Sequence, residues 1–229
     1  MVASAFISWR EQYPSFGYVA PFVTLLLLIA IPKSQAYSYW EWPLQVVVVA
    51  LVCLLTWPSG VSLRPNRWFT SAAIGTFVFC LWIAPDLIVP KYHLFWLFSN
   101  RIMGQAGSSL QPEALNSGSV LFWRTVRAAP VVPVAEELFW RAWLMRWLIN
   151  HDFQKVPLGT YAPTVFWLTA ILFGAEHGPY WDVGLLTGLV YNFWMIRSKS
   201  LGDCVLMHAV TNLLLSLYVI AYGQWQYWQ

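Results

Sequence analysis

Glu136, Glu137 and Arg141 in the run AEELFWR, His177 in FGAEH, and His208 with Asn212 in MHAVTN are polar residues set inside, or at the lip of, long apolar segments. An ionisable side chain there costs roughly 2.5 to 3.5 kcal/mol on insertion scales, so a group of them demands a use. Glu137 and Arg141 are four apart, which on a helix brings a carboxylate and a guanidinium onto one face to pair. Glu136 is turned away by about 100° and is left for chemistry. His208 and Asn212, again four apart, project an imidazole and a carboxamide side by side, and both can donate to one oxygen. Two such donors in a water-poor site suit a tetrahedral oxyanion, and losing one typically costs about 2.7 to 4 kcal/mol of barrier. His177, followed by Gly178 and Pro179, closes a helix that begins near Pro163 and can face Glu136 across a bundle, helping it deprotonate a water.

Each of these pairs also has a purely structural use. Glu137 with Arg141 makes a buried ion pair; His208 with Asn212 makes hydrogen bonds between membrane helices; Glu176 and His177 supply polarity at an interface. Their joint occurrence favours an enzyme, because three separate helices supply acid, base and donor types in a chain with few other charges in its spans.

The elements that position them must be membrane helices. Hydrophobic residues make up 59% of the 229 positions and charged residues 10%, against roughly 25% charged in a soluble domain, so lipid is the surrounding solvent. Among the sixteen tryptophans, Trp40, Trp42, Trp57, Trp68, Trp225 and Trp228 flank apolar runs and suit the two headgroup interfaces. The net charge of +3 is spread without a basic block, which excludes nucleic acid as a partner. Cys53, Cys80 and Cys204 are isolated in apolar stretches and are read as packing residues.

Segments without a charged side chain run over 16–32, 42–60, 68–85, 156–175, 183–196 and from 204 onward. With the region between the third and fourth, they predict an all-α polytopic transmembrane bundle of seven or eight helices. It forms a single integral membrane domain over 1–229, with non-catalytic helices in 1–90 and motif-bearing catalytic helices in 119–222. Pro130 and Pro133 each remove a helical hydrogen bond. A break is therefore expected there, with a helix to about Ala129, another from about Pro133, and the two acids at the positive end of the second helix's dipole. The stretch 91–119 predicts an interfacial helix and a mobile loop that can gate lateral access. Arg10, Arg64, Arg67, Arg146, Lys155, Arg197 and Lys199 against Lys33, Lys91 and Arg101 favour a cytoplasmic N-terminus if 119–150 crosses once. Asp86 and Asp182 are expected at solvated helix ends, and Asn192 is expected to bond a neighbouring helix. Tyr180, Trp181 and Trp140 can form an apolar rim for a peptide tail.

The order EExxxR, FxxxH, HxxxN resembles the CAAX protease and bacteriocin-processing family of intramembrane endopeptidases, on the residues Glu136 to Arg141, Phe173 to His177 and His208 to Asn212. It covers roughly the C-terminal half. The resemblance implies a helical-bundle peptidase that cleaves a peptide or protein substrate near a C-terminus or at the membrane surface, without a cofactor. By the same carry-over Glu136 and His177 activate water, His208 and Asn212 form the oxyanion hole, and Glu137 with Arg141 support them. The short, aromatic-rich chain is similar to the bacterial CAAX prenyl protease-related proteins found alongside exosortase systems, which implies a multi-pass protein of the bacterial inner membrane. Three other readings stay open. One carboxylate and two histidines can hold zinc with an open position for water, although no HExxH is present. The polar residues can lock a non-enzymatic scaffold or immunity factor. Acids and histidines in spans also mark proton-coupled transporters, against which the chain shows no internal repeat.

Overall fold

The structure is a computed structural model that describes residues 12–31, 37–108, 110 and 112–228. Arg10, Pro32 and Lys33, used in the sequence reading, lie outside the described residues. Seven helices are described: α1 Phe16–Ile29, α2 Tyr37–Thr56, α3 Trp68–Ile88, α4 over 118–149, α5 Pro163–Ala175, α6 Trp181–Ser198 and α7 Leu201–Tyr222. Among the described residues there is no strand, so the all-α expectation holds. The helices α2, α3 and α7 are long and apolar enough to cross a membrane, and α1 and α5 are apolar but shorter. Leu27, Leu54, Phe69, Ile88 and Phe193 all point outward. Such a surface is costly in water and is ordinary solvation in lipid.

Small residues let the helices approach. Gly75 of α3 lies directly on the Met207 carbonyl of α7, where a β-carbon would collide. Gly174 of α5 faces Leu185, and Gly188 of α6 faces Ala170. Polar bonds then fix the register, as is usual where apolar side chains alone cannot tell helix from lipid. Trp82 Nε1 donates to Thr187 Oγ1 (2.9 Å), Tyr191 OH to Thr211 Oγ1 (3.0 Å), and Thr211 Oγ1 to the Gly75 carbonyl (2.9 Å). Asn192 Nδ2 reaches the Thr169 hydroxyl and the Phe166 carbonyl of α5, both at 2.9 Å, the helix-to-helix role expected of it. Asp203, a fully buried acid that the sequence reading passed over, accepts from the Arg67 amide (2.8 Å) and Ser71 Oγ (3.1 Å) and so ties the start of α3 to the start of α7.

The expected break at Pro130 and Pro133 does not occur: α4 runs through 118–149 as one rod. Two wide turns, Arg127–Val131 and Leu138–Leu144, interrupt its α-helical winding. In the first, bonds span five residues, as from the Val132 amide to the Arg127 carbonyl. By that register the Ala128 carbonyl would look to residue 133, a proline with no N–H. Asn212 Nδ2 of α7 takes the place of the missing donor at 2.9 Å. Such wide turns recur at functional sites, and here the two bracket Glu136 and Glu137. The acids therefore sit in mid-helix, and the dipole argument for their charge does not apply.

The connection from α3 to α4 also departs from expectation. Only a three-residue turn, Tyr92–Leu94, is helical in its aromatic part, while Leu94, Phe95, Trp96 and Leu97 are exposed and His93 and Phe98 are buried. His93 is clamped: Nδ1 lies 2.6 Å from Asp86 Oδ2 and Nε2 lies 3.1 Å from Asp182 Oδ1. Asp86 also accepts from the Tyr227 hydroxyl (3.0 Å), and the Tyr180 ring lies 4.3 Å from the imidazole. The two acids are not merely solvated helix ends, a correction to the sequence reading. Burial lowers the affinity of His93 for a proton, but the hydrogen bonds to Asp182 and Asp86 outweigh it and hold its pKa above the ordinary 6.5. A raised folded-state value means that the clamp contributes fully below about pH 6.5 and is lost as pH rises through the folded value. Thermal unfolding of wild type and His93→Gln from pH 5.5 to 9 is expected to show a stability gap that closes toward high pH. A gap of constant size would contradict the clamp.

Candidate active site

Glu137 leaves α4 toward the core and is fully buried. Its Oε1 accepts from Arg141 Nη1 at 3.2 Å, the pairing expected from their spacing, and from His208 Nδ1 at 2.9 Å. One carboxylate oxygen thus sets the orientation of a guanidinium one turn along its own helix and of an imidazole on α7. The Arg141 guanidinium lies over the Phe173 ring (4.4 Å to the centroid), and the Tyr191 ring flanks His208 at 5.0 Å. With Nδ1 given to Glu137, the other nitrogen of His208 is the one left for the pocket.

His177 lies two residues beyond α5. Its Nδ1 stands 2.6 Å from the Phe173 carbonyl, one of the end groups that a helix leaves without an amide. A carbonyl only accepts, so Nδ1 carries the proton and Nε2 presents a lone pair. The ring is wedged between Phe173 (4.7 Å) and Trp82 (5.4 Å). Gly184 of α6 lies beneath it, where a β-carbon would come within 3.1 Å of His177 Cβ. That glycine is needed for the histidine to sit where it does.

Glu136, His177, His208 and Asn212 all line one open pocket of about 270 Å³. The sequence assigned these four to one site, and the fold brings them together from α4, the α5–α6 corner and α7. Glu136 Oε2 is buried without a hydrogen-bond partner among the described residues. The titratable groups that act on it electrostatically include His208, Glu137, Arg141, Arg127 and the neighbouring carboxyl of Glu176. Asn212 spends one N–H on the Ala128 carbonyl, which leaves its second for a ligand. Of the expected apolar rim only Tyr180 lines the pocket; Trp140 is packed between Phe22 and Phe173.

Three further charged residues line the same pocket and were not assigned to it from sequence: Glu176, Arg124 and Arg127. Glu176 precedes a motif histidine, and the arginines lie three apart in an apolar stretch; that cost of burial was the available signal. Nor is the pocket built by the C-terminal helices alone, since Phe22 and Leu25 of α1 and Trp82 of α3 line it. Among the described residues no three His, Cys, Asp or Glu side chains are grouped as metal ligands would be.

The cavity thus brings together a carboxylate, two imidazoles and a carboxamide inside an apolar bundle. Residues 118–214 match the family model described as type II CAAX prenyl endopeptidase Rce1-like. The match takes in all three motifs and is consistent with the CAAX protease and bacteriocin-processing resemblance, so the motif-bearing part of the chain is similar to CAAX endopeptidases. The similarity marks the protein as a peptidase, and its apolar helices mark it as an integral membrane protein. The matched region is less than half of the chain and leaves the N-terminal helices without a counterpart. No curated protein and no solved structure matches.

Proposed function

We propose that the protein is a metal-free, glutamate-dependent intramembrane endopeptidase of the bacterial inner membrane. A water placed between Glu136 and His177 donates one hydrogen bond to the carboxylate and one to the lone pair of His177 Nε2. As its oxygen attacks the scissile carbonyl carbon, its proton passes to Glu136, and the carbonyl oxygen becomes an oxyanion that accepts from the second N–H of Asn212 and from His208 Nε2–H. His208 is a donor in this step because, with Nδ1–H on the Glu137 carboxylate, it takes part as the imidazolium. Collapse of the intermediate breaks the C–N bond, and Glu136 returns the proton to the leaving amine. Glu137 and Arg141 touch none of the reacting atoms and act by holding His208 in place.

The observation that carries this reading is the convergence of Glu136, His177, His208 and Asn212 on one cavity while Glu137 is held by Arg141 and His208. Its test is hydrolysis by the purified protein in nanodiscs, followed by mass spectrometry of a fluorescent peptide pool with and without a strong chelator. Equal turnover in both is the expected result. Loss of activity with EDTA and its return with Zn²⁺ would transfer the mechanism to a metal.

A further inference from the structure

The loop between α3 and α4 is tightly built, yet it turns an apolar tip outward. Ser99 Oγ donates to the His93 carbonyl at 2.7 Å and accepts from the Ala106 amide at 3.1 Å. Asn100 exchanges two backbone bonds of 2.9 Å with Gly104, and its Oδ1 accepts from the Ile102 and Met103 amides at 2.9 and 3.0 Å. At the root His93 and Phe98 are buried; the Asp86 and Asp182 carboxylates hold the first, and the Tyr92 and Trp181 rings flank the second at 4.6 and 5.8 Å. Between them Leu94, Phe95, Trp96 and Leu97 are exposed, and Ile102 beyond is 91% exposed. Ordering a loop to display large apolar side chains costs chain entropy and, in water, hydration as well, so this tip is built to be covered.

The place of the loop in the fold decides what covers it. α3 ends at Ile88, and both α3 and α7 are long and apolar enough to cross a membrane. The tail beyond α7 returns to the end of α3 through the Tyr227–Asp86 bond, so the loop stands where two spans leave the bilayer. Irregular backbone facing lipid does not occur in the hydrocarbon region, whereas tryptophan is at home in the headgroup layer. Charge points the same way. Between Asp86 and Glu113 the chain carries Lys91 and Arg101, both exposed, and no acid. Two cations beside an apolar tip complement phosphate-bearing anionic lipid.

We propose that Leu94, Phe95, Trp96, Leu97 and Ile102 form a membrane anchor that dips among anionic phospholipid headgroups, with Lys91 and Arg101 pairing with their phosphates. Through His93 the anchor also holds one side of the pocket. The Tyr180 ring lies 4.3 Å from His93, Tyr227 bonds to Asp86, and both tyrosines line the pocket. The anchor thereby ties that side of the pocket to the headgroup layer. It needs only the loop and the lipid, and it stands or falls independently of the protease reading.

A nitroxide at Leu97→Cys tests it, in full-length protein in nanodiscs with Cys80→Ala to remove the exposed native thiol. Its collisions with O₂, which concentrates in lipid, and with a water-soluble nickel chelate report its depth. The same label at the exposed Leu54→Cys of α2 marks the acyl region, and at the exposed Lys155→Cys marks water. In phosphatidylcholine containing phosphatidylglycerol, residue 97 is expected to fall between the two references, and in phosphatidylcholine alone to shift toward the water reference. Lys91→Gln/Arg101→Gln is expected to erase the difference between the two lipids. Trp96→Gln/Ile102→Gln is expected to bring residue 97 to the water value with the unfolding temperature unchanged. Water-like readings at residue 97 in both lipids would assign the tip to a protein partner and overturn the anchor. Equal depth in the two lipids, or a lipid dependence unaltered by neutralising Lys91 and Arg101, would overturn it too.

Discussion

Glu136→Gln is expected to lower peptide hydrolysis by about 10²- to 10⁴-fold while leaving the unfolding temperature unchanged. That range is what a positioned general base contributes. The substitution preserves shape and leaves the Glu137, Arg141 and His208 bonds intact, because none of them involves Glu136. A carboxamide cannot accept the water's proton, and that is all it removes. Fold and activity are therefore expected to separate cleanly at this position. The result also decides against a scaffold, for which Glu136→Gln would leave the processing of any partner as it was. Membrane proteomes from cells with wild type and variant, compared for uncut C-termini, give the readout inside the cell. Unaltered C-termini at equal expression would remove Glu136 from the chemistry.

Arg141→Ala is expected to have the opposite profile, costing about 3 to 5 kcal/mol of stability and taking activity with it. The magnitude is that of leaving one member of a fully buried ion pair without its partner. Both side chains of the Glu137–Arg141 pair are inaccessible to solvent, so water cannot replace the lost guanidinium. Glu137 Oε2 already lacks a hydrogen bond among the described residues, which leaves His208 as its sole remaining partner after the substitution. The Phe173 ring loses the cation stacked on it, and the Phe173 carbonyl is what orients His177. Denaturant unfolding in mixed micelles measures the first effect and turnover the second. Full stability in Arg141→Ala would mean that the buried Glu137 carboxylate does not depend on its guanidinium partner.

Set side by side, the two variants assign adjacent acids to different work. Glu137 is spent on orienting Arg141 and His208, and Glu136 points elsewhere, into the pocket, because neighbouring helix residues point about 100° apart. That difference in direction is legible in the sequence, because residues one and four apart on a helix have fixed relative directions. The same local rule gave His208 and Asn212 a common face, and both line the pocket.

Rules that stop at one helix were less successful where another helix intervened. Pro130 and Pro133 look like a break, and in isolation each removes a bond worth keeping. The rod survives because wide turns shift the hydrogen-bond register and because Asn212, 84 residues away in sequence, supplies a donor to the Ala128 carbonyl. Asp86 and Asp182 looked solvated because nothing nearby in sequence showed that His93 would be placed between them. Trp42 and Trp228 looked like interface residues, yet both are buried beside Arg124, since ring-on-guanidinium stacking leaves no mark in the spacing of either partner.

By itself, then, the sequence determined the solvent, the helical class and the residues proposed for the chemistry, because hydropathy and a 3.6-residue period are properties of a segment and its immediate neighbours. Only the tertiary structure decided which of the buried charges share a cavity, which nitrogen of His177 is left free and that Arg124 and Arg127 also line it. Those are relations between side chains on different helices, set by how the helices pack and not by any interval along the chain.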